Sequence, residues 1–342
     1  LYGSSVVKTF DEGYAFTGGW GDDLEPVMYL AKTDRSGNLL WTKTFASTSI
    51  DSTQPGRWLR QSSDSGFVLI GTIGYYGEFN TLVIKTDKNG VVQWQKELTG
   101  IRGGSSIAIA DDNGYTGIGY VSDTSEHVAV FKLNTGGTLI WSKQYAYAHS
   151  TRGNSIERTS DNGFIITGQV EKTSTDYDVY LLKIDAQGTV KWQNSYGCPY
   201  NDIGYHGIET SDGGYIAVGQ NAKDADSRTM QIYLVKVDAQ GKYKWNKGYF
   251  PSTHSGWGFK VHQTSDGSYT LSAFPYGKAA LIKVGATGSY QWKKEYPAVV
   301  IEQIFDFFVE SDGGYVLTGK SNDPEVYPNQ AALLKTDSNG NY

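Results

Sequence analysis

Three histidines, His149, His206 and His254, fall in consecutive connections of a repeating chain, 8, 14 and 9 residues past a tryptophan. Imidazoles converging from three connections would suit a transition metal. The unequal spacings make their positions non-equivalent, and no His-x-His or Glu-x-x-His pair supports them. No metal site is therefore expected. The acidic pairs Asp22-Asp23, Asp176/Asp178 and Asp224/Asp226 offer the oxygen ligands that Ca2+ takes, yet none fits a calcium-loop pattern. A structural Ca2+ in such a loop is the only cofactor the sequence leaves room for. Carboxylates facing one another across the fold would suit glycoside chemistry. Walker loops, Gly-x-Ser-x-Gly elbows and His-Glu-x-x-His are absent, and no catalytic residue is assigned.

Aromatic rings beside carboxylates, Asn and Arg point instead to recognition, because a ring stacks on a sugar or anchors a protein contact. One set of candidate ligand-binding residues is Trp20, Asp22, Asp23, Tyr75, Tyr76 and Tyr327. A second set is Arg57, Trp58, Arg102, His149, Arg152, Tyr200, Asp202, His206, His254 and Trp257. The competing reading is that several of these rings only plug the fold.

What positions them is a repeat. An Asp-x-Gly-aromatic anchor places its ring at Tyr14, Phe67, Tyr115, Phe164, Tyr215 and Tyr315, with Tyr269 in the variant Asp266-Gly-Ser-Tyr. The intervals run from 46 to 54 residues. Four residues past each ring stands Gly18, Gly71, Gly119, Gly168, Gly219 or Gly319, with Ala273 the one departure. A lysine follows (Lys32, Lys85, Lys132, Lys183, Lys236, Lys283, Lys335), and nine residues past the first six stand Trp41, Trp94, Trp141, Trp192, Trp245 and Trp292. Asp-x-Gly is hairpin chemistry, since its central positions tolerate positive φ. Each unit therefore reads as four short strands, A to D, and four-stranded units at this period predict propeller blades. The expectation is an all-β, seven-bladed β-propeller in one domain, residues 1–342, of four-stranded antiparallel blades. The seventh blade lacks its outer strand in this chain.

Within a unit, closure of the C–D turn by Asp185 and Gly188 sets Lys183 opposite Val190 and Leu181 opposite Trp192. The lysine stem then lies along the indole and its head meets the Asp two residues on; a bulge in the turn would shift this register by one. The A–B and C–D turns barely vary in length, whereas the B–C and D–A connections do, and in a propeller those two emerge on one face. Variable loops on a rigid scaffold are where binding resides. That face carries the candidates above.

Composition narrows the classes. The chain has 342 residues, 39% hydrophobic, with 42 Gly, 25 Tyr and 9 Trp, which favours short turn-rich strands over helices. A net charge of −6 without a basic block disfavours nucleic acid. Cys198 is the only cysteine, so an intrachain disulfide and a multi-cysteine metal site are excluded. No run approaches the ~18 apolar residues of a membrane span, so direct membrane insertion is not expected.

Segments such as Phe131-Lys-Leu-Asn-Thr-Gly-Gly-Thr-Leu-Ile-Trp-Ser-Lys-Gln-Tyr and Thr210-Ser-Asp-Gly-Gly-Tyr-Ile-Ala-Val-Gly resemble the SBBP-type β-propeller repeats of secreted and cell-surface proteins in bacteria and archaea. The resemblance spans the chain. It implies an extracellular or cell-surface location, with a signal peptide outside this sequence, and use as a module joined to adhesive or anchoring domains. It supplies no catalytic residues. Lys-x-Asp-x-x-Gly-x-x-x-Trp is similar to the tryptophan-docking repeat of quinoprotein dehydrogenases, and Ser-Asp-x-Gly-aromatic to the Asp-box turn of sialidases, both with altered spacing. The expected function is a non-catalytic binding or assembly module for a protein, a glycan or a neighbouring subunit. The alternative is a glycosidase or lyase using carboxylates of the loop face. Tyr342 aligns with Val190, Tyr243 and Tyr290, so the seventh outer strand is expected from residues outside this sequence or from a neighbouring molecule by strand addition.

Overall fold

The computed structural model describes residues 2–20, 27–45, 52–53, 56–75, 78–147, 149–173, 176–224, 229–252, 256–322 and 330–342. These residues hold strands and turns and no helix. The first sheet is an antiparallel meander of β1 (Tyr2–Lys8), β2 (Tyr14–Trp20), β3 (Val27–Thr33) and β4 (Leu39–Phe45). The second contains β5 (Ser52–Thr53), β6 (Trp58–Gln61), β7 (Phe67–Tyr75), β8 (Glu78–Thr86), β9 (Val92–Ile109), β10 (Tyr115–Ser122), β11 (Glu126–Leu133) and β12 (Leu139–Tyr145). Three more meanders follow. They comprise β13 (Thr151–Arg158), β14 (Phe164–Thr173), β15 (Asp176–Ile184) and β16 (Val190–Tyr196); β17 (Asp202–Glu209), β18 (Tyr215–Ala222), β19 (Met230–Val237) and β20 (Tyr243–Ser252); and β21 (Gly256–Gln263), β22 (Tyr269–Pro275), β23 (Ala280–Val284) and β24 (Tyr290–Glu295). The last sheet has three strands, β25 (Gln303–Val309), β26 (Tyr315–Ser321) and β27 (Gln330–Thr336).

The sheets thus number six, one of them eight-stranded. The reason is β9. Its first half pairs with β8 and its second with β10, so residues 98–104 carry the sheet on through a register shift where a loop between two units was expected. Arg102, expected in a connection, is a strand residue paired with both Asn80 and Tyr120.

The recurrent lysine does not do what its spacing suggested. In each of the six units that carry the tryptophan a register shift follows the lysine, so Lys183 itself stands opposite Trp192 and Ile184 opposite Val190. Asp185 is occupied by its own turn, accepting from the N–H groups of Gln187 and Thr189. The lysine turns instead to the A–B turn: Lys183 Nζ lies 2.9 Å from Asp161, and Lys32, Lys85, Lys132, Lys236 and Lys283 meet Asp11, Asp64, Asp112, Asp212 and Asp266 at 2.6–3.0 Å. Lys183 is 3% exposed and Asp161 54%. Burial would raise the Asp161 pKa, but the bonds from Lys183, Thr159 and the Gly163 N–H lower it to about 2. Lys335 departs from the pattern, because Glu310 replaces the usual Thr or Ser of the turn; its Nζ sits 3.3 Å from Tyr14 Oη and 4.0 Å from Glu310.

At Gly13, Gly66, Gly163 and Gly214 the turn's last glycine leaves room for this lysine, whereas Ser268 holds that place beside the more exposed Lys283. A Cβ at Gly163 would collide with the Ile184 carbonyl and with Lys183 Nζ. Gly163→Ala is therefore expected to cost roughly 2 kcal/mol, an overpacking cost. Gly213→Asn is expected to be near neutral, because Asn162 already holds the equivalent positive-φ position and nothing lies within 4 Å of a Cβ at Gly213. Urea unfolding of the two variants checks the contrast.

Each outer-strand tryptophan docks on the following unit. Trp41, Trp94, Trp192 and Trp292 contact the anchor rings Phe67, Tyr115, Tyr215 and Tyr315 at 5.4–6.2 Å. The following C–D turn lies on the same indole: the Trp94 N–H donates to the Thr135 carbonyl and that of Trp192 to Ala239. All seven anchor rings are at most 4% exposed. The core is thus laid down between neighbouring units.

Candidate functional site

The first strands of the units, β1, β6, the second half of β9, β13, β17, β21 and β25, pack side by side, and β25 packs on β1. Their side chains reach across the centre. Trp58 of β6 stacks on His206 of β17 at 5.8 Å and 19°. Lys260 of β21 sits 4.1 Å over the same indole. Arg60 Nη2 donates to Glu157 Oε1 at 2.6 Å, and His206 Nε2 meets that oxygen at 3.1 Å. His206 Nδ1 accepts from the Val261 N–H at 3.4 Å, which makes its neutral Nε2–H tautomer the fitting one. Lys260 pairs with Asp306 at 2.9 Å, and Asp306 accepts from the Ser5 hydroxyl at 2.9 Å and the Val6 N–H at 3.0 Å. That last set ties the first sheet to the last.

Burial sets the electrostatics. It would raise Glu157 and Asp306, but Arg60 and His206 around the first and Lys260 beside the second hold both below the ordinary carboxylate range. Burial, then the Lys260 charge, brings His206 down to about 4 and His262 to about 3. Trp58 and His206, both expected in binding loops, are therefore central packing residues, 9% and 1% exposed. Sequence spacing put both in connections, whereas they stand on the first strands β6 and β17 with their side chains turned to the centre.

On the connection side of this layer the first strands carry bulges. Register shifts fall at Gly3/Ser5, Gly153/Ser155, Gly204/His206, Gly258/Lys260 and Ile304/Asp306. A bulge leaves its extra residue unpaired and re-aims it; here those residues are Ser4, Asn154, Tyr205, Phe259 and Phe305. Three are aromatic. Tyr205 meets Phe259 at 6.0 Å, Phe259 meets Phe305 at 5.7 Å, and Phe305 meets Tyr2 at 6.0 Å. Trp257 contacts Phe259 at 6.2 Å and stacks on Phe274 at 6.0 Å. All six rings are half-buried, and burial pushes the Tyr205 hydroxyl up to about 12. Of this arc only Trp257 stood among the sequence candidates. The signal that could have found the rest is the glycine four residues past each anchor: at Gly168 or Gly219 a Cβ would collide with the carbonyl of the bulged first strand.

The other candidates scatter. Arg57 is exposed, and its charge acts on the Tyr2 hydroxyl at the end of the arc. Arg102 and Arg152 both lie at Tyr120, Arg152 at 4.8 Å over the ring and paired with Glu126. His149 is exposed and Tyr200 half-buried, in the connections before β13 and β17. Asp202 is fully buried: it accepts from the Cys198 N–H at 2.5 Å and from Asn221. Burial pushes its carboxyl up to about 7, against those two bonds and with the charges of Asp178 and Asp176 adding. Trp20 and Tyr75 lie at strand ends with side chains outside the description, and Asp22, Asp23, Tyr76, His254 and Tyr327 lie outside the described residues. Among the described residues no three His, Cys, Asp or Glu side chains group to hold a metal ion.

No family model matches the chain, and no curated protein matches it in sequence. Solved structures do. The chain is similar to the Kuenenia stuttgartiensis hydrazine synthase, with a TM-score of 0.68 and 9% identity over 98% of this chain and 95% of that one. A protein from Lactobacillus plantarum gives 0.60 at 14% identity over 95% and 97%. The WD40 domain of Neurospora crassa Pan2 gives 0.58 at 11% over 92% and 85%. Identities this low carry the fold alone, and the fold they carry, with the repeated antiparallel sheets, is a β-propeller.

Proposed function

We propose that the chain is a seven-bladed propeller of the SBBP type that works outside the cell as a non-catalytic binding module. The eight-stranded sheet counts as two blades fused by β9. The face carrying the B–C and D–A connections, with the aromatic arc at its centre, would take a glycan or a protein partner. One observation carries this reading: six half-buried rings, three of them turned out of β-pairing by bulges, form one continuous apolar surface beside Arg57. Rings aligned for packing alone would be fully buried, as the seven anchors are. Half-buried rings in a row suit sugar faces and protein hot spots.

The enzymatic alternative finds its strongest carboxyl at Asp202, next to Asp178, since both would meet a Cβ placed on Gly197. A pKa near 7 is what a general acid needs, but a carboxyl with no exposure that holds Cys198 and Asn221 serves as a latch. A panel of immobilised polysaccharides separates the readings. We expect binding without product release, and roughly tenfold or more weaker binding by Trp257→Ala and Tyr205→Ala. Product release, or variants that bind as the parent does, would overturn it. A strand partner is also proposed at the edge of β27. The turn glycines Gly90, Gly137, Gly188, Gly241 and Gly288 each lie against the indole of the unit before, whereas nothing lies within 4 Å of a Cβ at Gly37. An added strand bearing a tryptophan would fill that place.

A further inference from the structure

At the end of the centre away from the aromatic arc, beside the A–B turns, lies a cavity of about 370 Å³. We infer that it is a binding site for a small carboxylate with an apolar body. Its walls include Val7, Ile208, Phe307 and Phe308, and its charged groups are Lys8, Arg60, Lys260 and Glu157. Three cations and one anion line it; Lys8 pairs with Glu12 and Glu310 and Lys260 with Asp306, carboxylates that stand outside the lining. Glu157 is already engaged, for Arg60 and His206 both bond its Oε1. An entering group therefore meets the cationic ends of ion pairs in a partly dry site, where charge acts more strongly than in water.

Arg60 is the residue built to receive it. A guanidinium has five N–H groups. One goes to the Leu59 carbonyl at 3.2 Å and one to Glu157, leaving three. The side chain is 19% exposed and lies 5.2 Å over Trp58, whose far neighbours Lys260 and His206 fix the indole. A planar donor held in advance by packing loses little freedom on binding a planar carboxylate. His262 also lines the cavity and stays neutral, because burial and the charge of Lys260 disfavour its protonation; it offers one polar contact without competing as a cation. The volume is at the small end of the roughly 300–1,000 Å³ of ligand sites, and apolar walls with few fixed polar groups are their usual make-up. An amine would meet the same three cationic ends, with Glu157 as the single carboxylate of the lining. This site is separate from the aromatic arc, so its failure would leave that reading standing.

Titration of the 342-residue chain with hexanoate, benzoate, their amides, hexylamine and acetate, followed by 1H–15N NMR and calorimetry, tests it. We expect saturable binding of hexanoate or benzoate, with shifts centred on Val7, Ile208 and Phe308. The matched amide and acetate should bind roughly tenfold or more weaker, the first lacking charge and the second lacking apolar contact. Arg60→Gln should weaken carboxylate binding by roughly tenfold or more. Ile208→Phe, which fills the cavity and keeps every charge, should abolish it. Hexylamine binding as tightly as hexanoate, acetate binding equally well, or full binding by a folded Ile208→Phe variant would each overturn the assignment.

Discussion

Asp306→Ala is expected to lower stability by about 4 kcal/mol, the cost of leaving a buried ammonium without its counter-ion. Lys260 and Asp306 are 5% and 1% exposed in their side chains, so water cannot take over either charge. Asp306 also accepts from the Ser5 hydroxyl, the Val6 N–H and the Phe307 N–H, and the first two lie at the other end of the chain. The loss therefore falls on the contact between β25 and β1. A paired removal separates charge from packing. Asp306→Leu with Lys260→Met takes out both charges together and should cost markedly less than Asp306→Ala alone. Urea unfolding of the three chains gives the result directly; a loss below about 1 kcal/mol for Asp306→Ala would show that water or a neighbour replaces the carboxylate.

The four-strand units were legible because their marks are local. Asp-x-Gly turns, the lysine and the tryptophan lie within one hairpin or its neighbour, and the β1–β4, β13–β16, β17–β20 and β21–β24 meanders follow them. The lysine's partner was misassigned for an equally local reason. A one-residue bulge in the C–D turn changes which residues oppose each other, and the Asp that seemed free is spent capping its own turn. Continuity through β9 was not legible, because residues 98–104 contain two glycines, Gly100 and Gly103, at positive φ, which read as loop.

The centre was hidden for a different reason. Arg60 and Glu157 lie 97 residues apart, and Ser5 and Asp306 lie 301 apart. Two first-strand positions, two residues apart, hold them: the first carries Ser5, Trp58, Ser106, Ser155, His206, Lys260 and Asp306 in the seven units, and the second carries Arg60 and Glu157. A repeat compared with itself marks such a position only as variable. Variation of this kind, on strands that meet, is where a repeat protein acquires asymmetry, whereas loop length drew attention to connections whose candidates, Arg102 and Asp202 among them, turn out paired or buried.

His206 makes the centre sensitive to acid, and the second large effect follows from it. The unfolded chain gains a proton on this histidine near pH 6.5, whereas the folded chain, where burial and Lys260 hold the imidazole near 4, does not. Between those values the unfolded state binds more protons, so stability falls as pH falls. The loss totals about 3 kcal/mol, of which about 2 kcal/mol has gone by pH 5. His262 acts in the same direction, reduced by its partial exposure. Asp202 acts in the opposite one: its carboxyl is raised to about 7, so the folded state is the better proton binder between about 4 and 7 and gains stability as pH falls. The parent's pH curve is therefore flatter than either group alone would make it. His206→Gln removes one side of the balance while its amide can still donate to Glu157. The variant loses roughly 1 kcal/mol at pH 7, where the Val261 N–H is left without its acceptor, and then gains about 2 kcal/mol relative to the parent on going to pH 5. Parallel curves for the two chains in urea unfolding at pH 7 and 5 would place the neutral imidazole elsewhere than in this dry centre.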